Sequence, residues 1–379
     1  MSNWLHDLYD TMKRSEKEML IRRSGSTLEG KNEKIRSGQS YLYKRYGMES
    51  EVMEVRFKDK ITGAFLNQAL LTAMKRYPYF NTKLVEKDGD FYIVQNEQSM
   101  IARRTKELAR LGHISCGYHL IDIIYYGYSI YISFHHALCD GRGVMPFIET
   151  LIYYYCDLKY GRKPVPEGVR LADDPLLPGE TDDPFLQEYD FDGKKMFVNI
   201  AADMRDALGV PNTFKNCVKS MNLPYSREFS EKSLTEQATE YRELLKAQRD
   251  RDFCRKEANA MIGLSNKLDT LDSYEEKQKI MTFFEGMTLN TYIISYLGAF
   301  RLGENAQYIS EIHLYNSGTT GLGINMISCG ENFVLDFKQN FQSDKYVRAF
   351  CEELEKLGIA YTVSDRIPFV TPGDSIIKR

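Results

Sequence analysis

Between Thr62 and Pro78 the apolar residues Phe65, Leu66, Ala69, Leu70, Ala73 and Met74 recur at three- and four-residue intervals. That spacing lines one face of a helix, and it predicts an amphipathic helix stopped by Pro78. Just before it, Val52, Val55 and Phe57 form a short strand-like run. Two further strands are expected over Thr82–Lys87 and Phe91–Gln95, with Asp88-Gly89-Asp90 as the hairpin turn between them. A second pair follows, from Tyr118 to Tyr125 and back over Ser129–Phe134 after a turn at Gly127. The returning strand is almost wholly apolar or aromatic, which predicts a strand covered on both faces. Val144 to Tyr160 then reads as a helix packed through Phe147, Leu151, Tyr154 and Leu158.

The pattern changes at residues 161–186. Pro164, Pro166, Pro175, Pro178 and Pro184 alternate with Gly and Asp, which predicts an extended crossover. Beyond it the mixture resumes. Met196–Ala201 reads as a strand, Ser233–Leu264 as a highly charged helix or helix pair, and Tyr292–Leu297 as another strand. Gly323–Phe341 reads as a hairpin turning at Gly330-Glu331-Asn332, and Tyr346–Leu357 as a closing helix. The first forty residues read as a charged arm, helical from Trp4 to Arg22 and then looped around Gly25 and Gly30. The expected organisation is two α/β halves, 1–163 and 187–379, joined by a linker at 164–186, with a ligand site where they meet.

A length of 379 residues agrees with two domains, because single cores stop growing near roughly 250–300 residues. The formal net charge is -3, which gives no general attraction to nucleic acid or to an anionic membrane. No apolar run approaches the roughly 18 residues of a membrane span, and Met1–Leu20 lacks the apolar stretch of a signal peptide. The seven cysteines are single, without C-x-x-C spacing, so no zinc set is expected. Unpaired cysteines fit reduced thiols, and a cytoplasmic location is the expectation.

One cluster carries candidate chemistry: His135-His136, then Asp140-Gly141, placed directly after the apolar strand. Neighbouring side chains at a strand end point in opposite directions, so the two histidines cannot share one task. With an unperturbed pKa of about 6.5, a histidine facing a cavity there can accept a proton near neutral pH. Asp140 can hold the turn through backbone N–H groups or an arginine, and Gly141 suits a position where a side chain would clash or where φ must be positive. His6, His113, His119 and His313 lack such companions and read as structural or solvated. Gly318-Thr319-Thr320-Gly321-Leu322-Gly323 lacks the Lys-Ser/Thr of a phosphate loop and precedes a strand, so it reads as a turn. The charged run Glu228–Lys256 interleaves both signs, as a solvated helix face does.

The string His135-His136-x-x-x-Asp140-Gly141 resembles the active-site motif of the coenzyme-A-dependent acyltransferase superfamily. That superfamily includes chloramphenicol acetyltransferase, alcohol acetyltransferases, plant hydroxycinnamoyl transferases and the condensation domains of peptide synthetases. Other segments are similar as well. Ala69-Leu70 through Arg76-Tyr77-Pro78-Tyr79-Phe80 resembles the family's helix ending in Arg-Tyr-Pro-x-Phe. Asn199 to Arg205, with Leu208-Gly209 and Asn212-Thr213, resembles its second-domain segment, and Ile294-Ser295-Tyr296-Leu297-Gly298 its Ser-Asn-Leu-Gly strand. The resemblance covers residues 50–350. It implies two chloramphenicol-acetyltransferase-like subdomains with mixed sheets and an active-site tunnel between them.

The resemblance also implies roles. His136 would take a proton from an acceptor hydroxyl or amine attacking a thioester, with acyl-CoA, acetyl-CoA foremost, as a co-substrate and no resident cofactor. Asp140 would be held by an arginine, Arg205 being the best placed, His135 would pack inward, and Ser295 would assist the oxyanion. Alternative readings are a donor carried on a partner protein in trans, and a non-catalytic member that binds a ligand or partner. Two departures keep the last reading open, Tyr296 in place of Asn and the short stretch from Phe185 to Met196; a third is that only Leu335-Asp336-Phe337 echoes the plant Asp-Phe-Gly-Trp-Gly motif.

Overall fold

The computed structural model describes residues 33–43, 50–87, 90–186, 200–221, 223, 229, 231–287, 292–316, 322–339 and 343–364. The expected helix over Trp4–Arg22, the short stretch before Met196 and the turn beginning at Gly318 lie outside the described residues.

The described chain begins with β1 (Glu33–Lys34) and a single 3-10 turn over Gln39–Leu42. β2 (Ser50–Phe57) follows, then α1 (Gly63–Arg76), which buries Leu66, Ala69, Leu70 and Ala73 on the face set by their spacing. β3 (Thr82–Lys87) and β4 (Asp90–Gln95) pair antiparallel, with Lys87 opposite Asp90 and β1 added beyond β4. β5 (Arg103–Arg104), β6 (Ile121–Tyr126) and β7 (Ser129–His135) lead into α2 (Gly141–Tyr160). The second half supplies β8 (Ile200–Asp203), the one-turn α3 (Arg205–Leu208) and β9 (Val218–Met221). Next come the helices α4 (Leu234–Gln248), α5 (Arg251–Asp269) and α6 (Tyr274–Met287). β10 (Tyr292–Ala299), β11 (Ile309–Asn316), β12 (Leu322–Cys329), β13 (Asn332–Gln339) and α7 (Lys345–Lys356) complete it.

Two five-stranded mixed sheets frame the molecule among the described residues. One has the order β11-β2-β7-β6-β5, the other β13-β12-β10-β8-β9. In the second sheet β8, β10 and β12 run parallel, with antiparallel strands at both edges. β11 comes late in the chain yet pairs with β2, so the first sheet takes strands from both halves of the sequence. The main apolar cluster is shared in the same way. It joins Met53, Leu66, Phe134, Phe147 and Ile148 to Leu297, Phe300, Ile312, Leu314 and Ile327. α2 lies inside this cluster, with Val144, Phe147, Ile148, Leu151, Ile152 and Tyr155 all buried. Each large side chain buried there contributes roughly 1.5–3 kcal/mol.

The proline-rich crossover is pinned rather than loose. Glu180 is 1% exposed and takes a two-point ion pair from Arg76, at 2.8 and 2.7 Å. Tyr79 donates to the same carboxylate at 2.5 Å, and the Glu180 carbonyl accepts the Phe214 N–H at 2.9 Å. Tyr79 stacks on Phe214 with centroids 4.1 Å apart, so the end of α1, the crossover and the second half meet at one point.

Elements depart from the sequence pattern in three places, and in a fourth the structure decides between a helix and a helix pair. α2 starts at Gly141, three residues before the expected Val144, because Asp140 caps it. The charged stretch is two helices, broken where Asp250 accepts the N–H groups of Asp252 and Phe253 and caps α5. α6 has little amphipathic pattern, and its polar Lys277 is buried against Asp90. β11 is obscured by polar residues. Its His313 and Glu311 are paired with Asp336 and Arg56, while Ile309, Ile312 and Leu314 face the core.

Candidate active site

β7 delivers both motif histidines at its end. His135 turns its Nδ1 onto the Ala137 N–H at 3.0 Å, which fixes that nitrogen as an acceptor. Burial, helped by His136 and Arg110, lowers its pKa to about 3, so the ring stays neutral with its proton on Nε2. His135 thus braces the turn that presents its neighbour.

His136 is 8% exposed, with four side chains against its ring. Tyr41 stacks on one face, with centroids 4.4 Å apart and planes 23° from parallel, and Phe134 meets the ring edgewise. The Asn216 amide nitrogen stands 3.4 Å from Nδ1 and 3.4 Å from the His136 carbonyl. Nε2 faces Glu51, whose Oε1 is 3.6 Å away. Glu51 lies on β2 opposite Phe134, so strand register brings the carboxylate to the histidine. Residues 33–43 lie over this loop at close range. A Cβ added at Gly38 would sit 2.4 Å from the His136 carbonyl oxygen and 2.6 Å from the Ala137 Cα. Tyr41 reaches Asn216 with its phenol, and burial, with Glu51 nearby, pushes its pKa up to about 12.

Asp140 faces the other way. Its Oδ1 accepts the Gly143 N–H at 2.7 Å as the cap of α2 and pairs with Arg205 Nη2 at 2.8 Å. Its Oδ2 accepts the Cys217 N–H at 2.9 Å. Arg205 also donates to the carbonyls of Thr213 and Lys215, each at 2.8 Å, and to Asp203 at 2.9 Å. Burial opposes the Arg205 charge, but Asp140 and Asp203 more than offset it and push its pKa up. The segment Thr213–Val218 is therefore clasped to the motif loop through one aspartate and one arginine.

Gly141 opens the first turn of α2. A Cβ there would lie 3.0 Å from the Leu297 side chain and 3.5 Å from Glu51 Oε2. The absence of a side chain lets the Glu51 carboxylate and β10 approach the positive end of a 20-residue helix. Ser295 sits on β10 beside Ala201 and Asn325. Among the described residues no hydrogen bond joins it to His136. Leu297, two positions on, is the part of β10 that meets the loop, and its carbonyl accepts from Arg142 at 2.7 Å. On β13, burial lowers the Lys338 pKa to about 8, against the pull of Glu51 and Asp336. A polar cavity of about 170 Å³ opens beside the first turn of α2, lined by Tyr79, Arg142, Glu149, Arg170, Arg205 and Arg301 among others.

Tyr41, Glu51, Asn216 and Lys338 were not singled out from the sequence. Asn216 lies four residues past Asn212, already noted as similar to a family segment. Glu51 is one of three charges in a β run, with Glu54 and Arg56, and nothing local sets it apart. The other two carry no local signal.

No family model matches the chain, and no curated protein matches it. Solved structures do. Polyketide synthase associated protein 5 from Mycobacterium tuberculosis aligns over 87% of this chain and 99% of its own, at 14% identity and a TM-score of 0.53. TRI101 of F. graminearum, solved with coenzyme A and T-2 mycotoxin, aligns over 86% and 99%, at 13% identity and 0.52. A mutant starter condensation domain of rhizomide synthetase, in complex with C8-CoA, aligns over 86% and 93%, at 9% identity and 0.51. The chain therefore shares the fold of these three structures, with mixed α/β halves and mixed sheets. No helix among the described residues is long and apolar enough to cross a membrane.

Proposed function

We propose that the protein transfers an acyl group from an acyl-CoA thioester to a hydroxyl or amine acceptor, with His136 as the general base. The observation that carries this reading is the environment of His136. An imidazole at a strand end is held by groups from both halves of the chain, while the motif aspartate is spent on Arg205 and the helix cap. Residues 1–163 and 187–379 act as the two halves in this proposal, with 164–186 linking them and the substrates meeting at His136.

The acceptor's X–H proton passes to His136 as X attacks the thioester carbonyl carbon. The tetrahedral intermediate collapses by breaking the C–S bond, and the proton returns to the departing sulfur. Glu51, 3.6 Å from Nε2, stabilises the imidazolium formed between these two events. Asp140 and Arg205 hold the loop, and His135 keeps its turn. Positioning two substrates against one base accounts for the chemistry without a resident cofactor. A base so placed contributes about 10²- to 10⁴-fold. Acetyl-CoA is the first donor to try, and a small molecule the acceptor.

The test is mass-spectrometric detection of acylated product from a panel of acyl-CoA donors, acetyl-CoA included, against small alcohols and amines. Product with any pair supports the reading. If free acyl-CoA is inert but a thioester on a carrier protein reacts, the donor assignment falls and the chemistry stands. Failure of every pair, with acyl-CoA still bound, would favour a non-catalytic binding role.

A further inference from the structure

Tyr41 and Asn216 come from distant parts of the chain, and each touches the same imidazole in a different way. Tyr41 sits in the 3-10 turn over Gln39–Leu42 and covers one face of His136 at 4.4 Å. Asn216 belongs to the segment clasped by Asp140 and Arg205, and its amide nitrogen is shared between Nδ1 and the carbonyl of His136. The two are joined to one another through the Tyr41 phenol. A ring of three side chains is closed: tyrosine on imidazole, imidazole to amide, amide to tyrosine.

Each arm of this ring is itself anchored. Gly38 seats the tyrosine's segment against the His136 backbone, where any Cβ would collide. Asp269, at the end of α5, pairs with Lys34 and Arg36 and accepts from Gln39. Asp183, in the crossover, accepts from the Ser37 N–H and hydroxyl. On the other side, Cys217, next to Asn216, donates its N–H to Asp140. Placement of this kind is costly to build for packing alone, since Asn216 is 4% exposed and its amide is spent on long, shared contacts to a histidine.

We propose that Tyr41 and Asn216 are positioning residues for His136, the ring fixing the imidazole plane and the amide fixing its rotation about the Cβ–Cγ bond. The proposal rests on the reading that His136 takes the acceptor's proton. Tyr41 and Asn216 act through the imidazole and not on the substrate. An imidazole free to turn away from the acceptor loses the alignment on which a base depends, and misplacement by an ångström costs up to about 10²-fold.

The experiment compares wild type, Y41F, Y41L and N216A, each checked for a native thermal melt. Two quantities are read: kcat and KM for the acyl-CoA donor, and the rate at which diethyl pyrocarbonate modifies His136, followed by mass spectrometry of its peptide. Y41L and N216A should lower kcat by about 10- to 10²-fold with little change in donor KM. In both variants His136 should be modified at least about fivefold faster, as expected when one hydrogen bond or stack is lost. Y41F keeps the ring and should fall between wild type and Y41L in both readouts. Equal modification rates in all four proteins would overturn the proposal, as would a kcat loss in Y41F as large as in Y41L. If the wild type acylates nothing, the catalytic reading fails on its own. The modification rates then decide alone, faster labelling in Y41L and N216A supporting the clamp and unchanged labelling sinking it.

Discussion

Asp140 accepts from Gly143 and Cys217 and pairs with Arg205, so one buried carboxylate caps a helix and closes a contact between the halves. Asp140→Ala removes all three and leaves Arg205 buried with only Asp203 as its carboxylate partner. The expected cost is about 3–5 kcal/mol of stability, seen as a lower denaturation midpoint together with lost turnover. A variant that melts like wild type while losing only activity would contradict the structural role. His135 carries its own signature. Its folded pKa lies below the ordinary histidine value, so the unfolded chain binds the extra proton. Its contribution is full above about pH 6.5 and drains away as pH falls towards 3. His135→Gln should flatten this part of the stability–pH curve, as measured by chemical denaturation between pH 4 and 7. The motif residues were legible because they are contiguous and share a strand end. Tyr41, Glu51 and Asn216 were not, because the 3-10 turn, strand register and the clasped segment respectively bring them to His136.

At the scale of elements, α2 is the piece on which the site is mounted, and its first turn is packed backbone to backbone. A Cβ at Gly143 would fall 2.0 Å from the Phe214 carbonyl oxygen. Neither backbone can yield without disturbing Asp140 or Arg205. Gly143→Ala should therefore destabilise the protein by about 1–3 kcal/mol, as overpacking does, and thermal denaturation against wild type measures it. A variant as stable as wild type would mean that the clasp is looser than the geometry implies. α1, β3, β4 and the β12–β13 hairpin could be read from spacing, alternation and turn residues, and β7 from its nearly unbroken apolar run, buried on both faces. β11 could not, because half of its side chains are polar and find partners only on other strands. α6 failed for a related reason, with a lysine buried against an aspartate of the first half.

Across the whole molecule the two sheets are tied by an ionic joint beside the site. Asp336 on β13 bonds His313 Nδ1 at 2.7 Å and the Leu314 N–H at 2.8 Å, both on β11, while Glu311 holds Nε2 at 3.2 Å. Burial opposes the charge of His313, but Asp336, Glu54 and Glu311 prevail and its pKa is raised. The folded state therefore binds the proton more tightly than the unfolded one. The joint's contribution is full below about pH 6.5 and is lost as pH rises through the raised value. Wild type should lose stability over that rise relative to His313→Gln, and parallel curves for the two proteins would refute the joint. The fold was legible in the sequence at this scale through the motif and its neighbours, whereas the crossing of β11 into the first sheet was not. The proposal that His136 is the base of an acyl transfer is the central claim, and it is tested most directly by His136→Ala. Its kcat for acyl transfer should fall by about 10²- to 10⁴-fold, with acyl-CoA affinity by calorimetry nearly unchanged. Equal turnover by wild type and His136→Ala would contradict it.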